Sequence, residues 1–186
     1  TGQLARYDYE LDRIMLFDVA DNLGIRTILT DSNGFIWFGG ERSGLRKFDP
    51  ETETLLAVYY QSGAGNTGRK IDKRDKSDSI NDIEIDGSGL IWLATDQGLF
   101  MLDEKKGRIE SPLVHPVLNK AHISSLAMGS GSRLWIGTWN GLFQINTVSG
   151  LITEYPAESG SDQTVQHNQI HKLMADSRGN IWIGTD

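Results

Sequence analysis

The sequence predicts an all-β chain: a fragment of a larger β-propeller, built of four-stranded antiparallel blades and amounting to about four blade equivalents. Two observations carry that prediction. The first is a repeat. Trp37, Trp92, Trp135 and Trp182 occupy the same place in one local pattern. Twelve residues before them stand Ile25, Ile80, Ile123 and Ile170, and nine before them Ile28, Ile83, Leu126 and Leu173. Six before are Asp31, Asp86, Gly129 and Asp176, and immediately before are Ile36, Ile91, Leu134 and Ile181. Three copies continue to Gly44-Leu45, Gly98-Leu99 and Gly141-Leu142. The tryptophans are 55, 43 and 47 residues apart, and periods of about 40–50 residues made of short strands are what a propeller blade requires. The second observation is that turn residues bound every apolar run, as strands joined by hairpins demand.

The elements follow in order. Leu4-Ala5-Arg6-Tyr7-Asp8 aligns with Leu45-Arg46-Lys47-Phe48-Asp49, so residues 1–17 are read as the last two strands of a blade. Residues 18–61 form a blade, 62–79 an inserted loop, 80–119 a blade and 120–167 a blade. Residues 168–186 supply the first two strands of one more. The third full copy shows the construction. His122 to Met128 is a strand that begins at the Ile123 column, and Gly129 to Ser132 reverses it into the continuous apolar run Leu134-Trp135-Ile136. Such runs belong to strands covered on both faces. Thr138-Trp139-Asn140-Gly141 is a hairpin turn, because Asn-Gly supplies the positive φ angles that tight hairpins need. Leu142 to Ile145 is the third strand. Asn146 to Gly150 turns the chain into the outermost strand, Leu151 to Tyr155, which stops at Pro156.

The turns Asp31-Ser32-Asn33-Gly34, Asp86-Gly87-Ser88-Gly89 and Asp176-Ser177-Arg178-Gly179 place a carboxylate where it accepts backbone N–H bonds, then a glycine where the backbone turns left-handed. A calcium loop would need a ladder of oxygen ligands and a downstream bidentate glutamate, which these turns lack. The four repeat tryptophans, embedded in apolar runs, are expected to pack one blade against the next rather than to bind a ligand. Gln61 to Ser79 carries the run Arg69-Lys70-Ile71-Asp72-Lys73-Arg74-Asp75-Lys76 and reads as a solvated mixed-charge insertion; an anion-binding loop is the functional alternative.

Composition bounds the function. With 38% hydrophobic and 23% charged residues, the 186-residue chain is an ordinary globular one. Its net charge of −7 argues against a nucleic-acid surface, which would have to neutralise phosphates. No cysteine is present, hence no disulfide, thiolate nucleophile or cysteine metal site. No apolar run reaches the roughly 18–20 residues that span a bilayer, so direct membrane insertion is not expected. The chain starts at Thr1 and begins and ends inside repeat units, which reads as a piece of a longer protein.

The pattern Ile-x-x-Ile-x-x-Asp-x-x-Gly-x-Ile-Trp-Ile-Gly-Thr followed by Gly-Leu-x-x-Phe resembles the two-component regulator propeller repeat. The likeness covers nearly the whole chain and is closest from Ile170 to Asp186. Gly129 in place of the aspartate, and Leu93-Ala94-Thr95 in place of Ile-Gly-Thr, are its departures. That repeat fills the extracytoplasmic sensor of hybrid histidine kinases of Bacteroidetes. The resemblance implies a periplasmic segment of a receptor that senses an oligosaccharide, with kinase activity in a domain outside this segment and remaining propeller blades as partners.

Three functions share this fold: a ligand sensor, a glycan lyase or hydrolase, and a protein-interaction scaffold. The sensor is the expectation, with no enzymatic activity, cofactor or metal in this segment. Among His115, His122, His167 and His171, the last two are four residues apart, but His167 stands at a strand entry. In a propeller, the second-to-third strand turns and the interblade loops share one face. That face collects Glu41, Arg42, Asp96, Gln97, Trp139 and Asn140 from the turns, and Lys120, His122, His167 and Asn168 from the loops. Trp139 stands outside the repeat tryptophan column, in a turn, where an aromatic ring can stack on a sugar. The ligand-binding candidates are therefore Trp139, Asn140, Arg42, Asp96 and His167. The two half blades leave unpaired strand edges, and these predict a homodimer closed through them.

Overall fold

In the computed structural model, described for residues 2–19, 24–61, 79–112, 115–155 and 169–186, the chain forms sixteen strands in five antiparallel sheets. No helix occurs among the described residues. The first sheet pairs β1 (Leu4–Asp8) with β2 (Arg13–Phe17). The second runs β3 (Ile25–Thr30), β4 (Ile36–Gly40), β5 (Leu45–Asp49), β6 (Thr54–Tyr59), each strand bonded to the next. The third repeats that order with β7 (Ile80–Ile85), β8 (Ile91–Thr95), β9 (Gly98–Asp103) and β10 (Arg108–Glu110). The fourth does so with β11 (Ile123–Gly129), β12 (Arg133–Thr138), β13 (Gly141–Asn146) and β14 (Ile152–Tyr155). The fifth pairs β15 (Ile170–Ala175) with β16 (Ile181–Thr185). Leu151, expected to open the outermost strand, instead lies in the turn and is exposed.

The turn aspartates do two jobs at once. One oxygen of Asp31 accepts the N–H groups of Asn33 (2.9 Å) and Phe35 (3.0 Å), while the other accepts the Trp37 indole N–H at 2.8 Å. Asp86 treats Ser88, Leu90 and Trp92 in the same way, and Asp176 does so for Arg178, Asn180 and Trp182. The six-residue interval from Asp to Trp thus ties each turn to the ring that packs the blade. In the fourth sheet Gly129 replaces the aspartate, and a Cβ there would lie 2.8 Å from the Trp135 indole nitrogen. The ring of Trp135 closes over the bare backbone instead.

The tryptophans are a core column only where a following sheet exists. Trp37 packs among Ile80, Ile83, Ile91 and Leu93 of the third sheet, and Trp92 among Ile123, Leu126 and Leu134 of the fourth. They are 1% and 4% exposed. Trp135 packs towards Ile170, Leu173 and Ile181 of the two-stranded fifth sheet, stacks on Tyr155 of its own sheet and is half-buried. Trp182 is 60% exposed. All four rings face the same way, towards the sheet that follows, as blade-on-blade packing requires. Burial depends on how much of that sheet is present.

Each innermost strand carries a register shift one residue after its first isoleucine, at Arg26, Asn81, Ser124 and His171. These bulges release one side chain per sheet from the alternation of the strand. The next residue in each, Thr27, Asp82, Ser125 or Lys172, joins a polar chain across the sheets. Asp82, 6% exposed, accepts from Thr27 Oγ1 (3.2 Å), Ser125 Oγ (2.7 Å), the Leu126 N–H (3.0 Å) and Lys172 Nζ (2.8 Å). One buried carboxylate therefore fastens the inner strands of four consecutive sheets. The neighbouring Glu84 carboxyl is pushed up by burial, opposed by the Met128 N–H and reinforced by the Asp82 charge.

Candidate functional site

The β8–β9 and β12–β13 turns and the loop entering β11 meet at one junction between the third and fourth sheets. The loop before β11 is pinned first. Gly98 opens β9 with φ +125°, and a Cβ on it would lie 2.6 Å from the Leu118 carbonyl oxygen. The adjacent Leu99 N–H donates to that same oxygen at 3.0 Å, and the Leu118 side chain is fully buried. This contact sets the approach of the chain to His122, one residue before β11.

His122 Nδ1 lies 2.9 Å from Asp96 Oδ1, across the sheet junction. The ring of Trp139 lies over the imidazole, with centroids 4.0 Å apart and planes 36° off parallel. Asp96 stands in the β8–β9 turn and Trp139 in the β12–β13 turn. Asn81, freed by its bulge, donates through Nδ2 to Asp96 Oδ1 and to the Ile123 carbonyl, both at 2.9 Å. It accepts from Arg26 Nη1 at 2.6 Å. The result is a continuous relay, Arg26–Asn81–Asp96–His122–Trp139, contributed by three successive sheets. Trp139 at its end is 48% exposed. The fifth sheet repeats the bulge-to-turn contact, His171 Nε2 lying 2.7 Å from Asp186 Oδ1.

Of the residues expected at this site, Trp139 and Asp96 come together through His122. Asn140 sits beside Trp139, and its N–H donates to Thr138 Oγ1 at 3.0 Å as part of the turn. Arg42 belongs to the preceding junction, where its N–H donates to Ser79 Oγ (3.1 Å) and its guanidinium lies 3.6 Å from Glu41. His167, Asn168 and residues 62–78 of the insertion lie outside the described residues. Arg26 and Asn81 were not expected. A polar residue eleven places before each tryptophan, directly after an isoleucine in every copy, was the signal for them.

A histidine held by a carboxylate is half of a general-base arrangement. Among the described residues no nucleophile is bonded to its far nitrogen, and no group of three or more potential metal ligands is present. What the junction offers is an exposed aromatic surface beside hydrogen-bonding groups held in fixed positions, the makings of a small binding site.

Sheet order and repeat together define a segment of a β-propeller. The family described as "Two component regulator propeller" matches residues 19–42 and 164–186. The matched stretches take in β3 and β4, and β15 and β16. Among solved structures, an extracellular domain assigned to the hybrid two component system BT4673 of B. thetaiotaomicron superposes with a TM-score of 0.77 at 22% identity, over 99% of this chain and 24% of that one. A second such domain, BT3049 of the same organism, gives 0.68 at 20% identity over 97% and 22%. Virginiamycin B lyase of Staphylococcus aureus gives 0.69 at 15% identity over 98% and 56%. The chain spans about a quarter of the length of the two-component relatives. At these identities the likeness establishes the propeller fold. No curated protein sequence matches the chain.

Proposed function

We propose that this chain is a ligand-sensing segment of the extracytoplasmic, periplasmic propeller of a two-component signalling receptor, and that its ligand is an oligosaccharide. The observation that carries the reading is Trp139: an exposed ring in a turn, braced from behind by His122 and Asp96, so that stacking on a sugar ring costs little ordering. The propeller repeats and the extracellular domains that the chain resembles support the setting. On this reading the segment is not itself an enzyme, and a kinase elsewhere in the parent carries the signal onward. Thermal denaturation of the chain against a panel of oligosaccharides tests it. A rise in midpoint with at least one glycan, absent in Trp139→Ala, is the expected result. Turnover of a glycan instead of stabilisation would favour an enzyme, and unchanged stabilisation in Trp139→Ala would move the site elsewhere.

We also propose that the isolated 186-residue chain pairs with a second copy. Among the described residues β1 bonds only to β2 and β16 only to β15, so each offers an open edge. Set in the register of β4 on β5, β16 of one copy against β1 of another completes a four-stranded sheet. The same pairing covers Ile14 and Leu16 at one end and Met174 and Trp182 at the other, all exposed in the single chain. Light scattering is expected to report a dimer; a monomer at high concentration overturns this.

A further inference from the structure

Resting on that reading of the Trp139 junction, we infer that His122 selects the ligand by its chemistry: it presents a bare Nε2 lone pair, and so takes a neutral glycan that donates a hydroxyl hydrogen there and rejects an acidic one. The argument starts at Asp96. Its carboxylate only accepts hydrogen bonds, and Oδ1 receives both Asn81 Nδ2 and His122 Nδ1, each at 2.9 Å. Asn81 is fixed in turn. Its carbonyl oxygen is occupied by Arg26, so its amide group must be the side facing Asp96. The imidazole nitrogen against Asp96 therefore carries the proton, and in a neutral ring the other nitrogen carries none. Among the described residues no donor is bonded to Nε2.

Trp139 covers one face of this ring and leaves about half of its own surface open. A sugar laid on the free surface of Trp139 brings a C–H face to the indole and a rim of hydroxyls towards the imidazole edge. A hydroxyl satisfies the lone pair. A carboxylate or sulfate in the same place meets a lone pair backed by the Asp96 charge, and the guanidinium of the relay, Arg26, is bonded to Asn81. A ligand that offered only acceptors would leave the nitrogen unpaired, which is the stronger penalty in hydrogen-bonded recognition.

Two measurements on the full chain test this, and they separate its failure from failure of the glycan reading. Long-range proton–nitrogen correlation NMR of the imidazole rings, with the His122 signals assigned by their loss in His122→Asn, is expected to show Nδ1 protonated and Nε2 bare. The opposite tautomer overturns the inference while leaving Trp139 as a glycan platform. The second measurement uses cellotriose, xylotriose and mannotriose as neutral probes and trigalacturonate as the acidic one. Asparagine keeps a group at the Nδ1 position, and glutamine keeps one near Nε2. The tightest neutral probe is expected to lose roughly tenfold in affinity in His122→Asn and to stay within about threefold in His122→Gln. Tighter binding of trigalacturonate than of every neutral probe, or equal binding by His122→Asn and the unaltered chain, overturns the selection rule.

Discussion

The second and fifth sheets begin with the same sentence and end in different physical states. Both carry isoleucine, aspartate and tryptophan at matching intervals, and both tie the tryptophan indole to the turn aspartate, at 2.8 Å for Trp37 and 3.1 Å for Trp182. Yet Trp37 is sealed and Trp182 stands mostly in solvent. The local geometry is written in each repeat, whereas the core is made between repeats. Stability in such an array is a sum of sheet and junction terms, and the tryptophan column reports the junction term directly.

The widest expected contrast follows. Trp92→Ala, within a complete junction, should cost about 3–5 kcal/mol in denaturant unfolding, and Trp182→Ala under about 1 kcal/mol, since little apolar area leaves water there. Trp135→Ala should fall between, because its ring meets half a sheet and has no aspartate partner. Equal losses at all three positions would mean that the ring stabilises its own sheet rather than the junction. A smaller effect is expected at the inner strands. Asp82→Ala leaves the Ser125 hydroxyl, the Thr27 hydroxyl and the Leu126 N–H without their acceptor, and should cost about 2–3 kcal/mol. Lys172→Met should cost less, because the other donors to Asp82 remain, but it leaves that buried carboxylate without its cation and so should still lower the midpoint measurably.

The smallest effect depends on pH and sharpens the comparison at the turns. Burial raises the Asp86 carboxyl, but hydrogen bonds from Ser88, the Trp92 indole and the Leu90 N–H outweigh it, and the net position is below the ordinary value. Asp176, bonded by Asn180 and Trp182, is lowered to about 2. A carboxyl depressed in the folded state contributes above its unfolded value, near 4, and that contribution disappears as pH falls through the folded value. Stability of the chain should therefore decline from about pH 4 towards pH 2. Asp86→Asn should flatten part of that decline, as read from denaturant midpoints at each pH; an unchanged slope would remove Asp86 from the account.

What was legible in the sequence was whatever one repeat determines alone. The isoleucine and tryptophan columns marked the first two strands of each copy, and Asp31, Asp86 and Asp176 marked turns whose hydrogen bonds the structure contains. How deeply a repeat tryptophan is buried depends on the neighbouring sheet, which no column of its own repeat encodes. The site was half legible for the same reason. Trp139 stood out as a turn tryptophan and Asp96 as a turn acid, but their link through His122 crosses a junction. Arg42, equally polar and equally placed in its turn, closes on Ser79 and Glu41 instead. Asn81 was hidden by a different cause: a register shift of one residue, which reverses the direction of a side chain without altering the apolar pattern around it.

That register shift makes the scaffold a carrier of interchangeable letters. On either side of it the copies repeat an isoleucine and a hydrophobic column that the stack cannot change cheaply. At the shifted place they write arginine, asparagine, serine and histidine in turn. Each of these side chains reaches outside its own strand, to the next sheet or to the turn acid above it. A chemically new surface can therefore be spelled one sheet at a time, with a single substitution per copy and no repacking of the column below. Exchanging Asn81 with His171 would rewrite two words of that surface while leaving every junction tryptophan where it is.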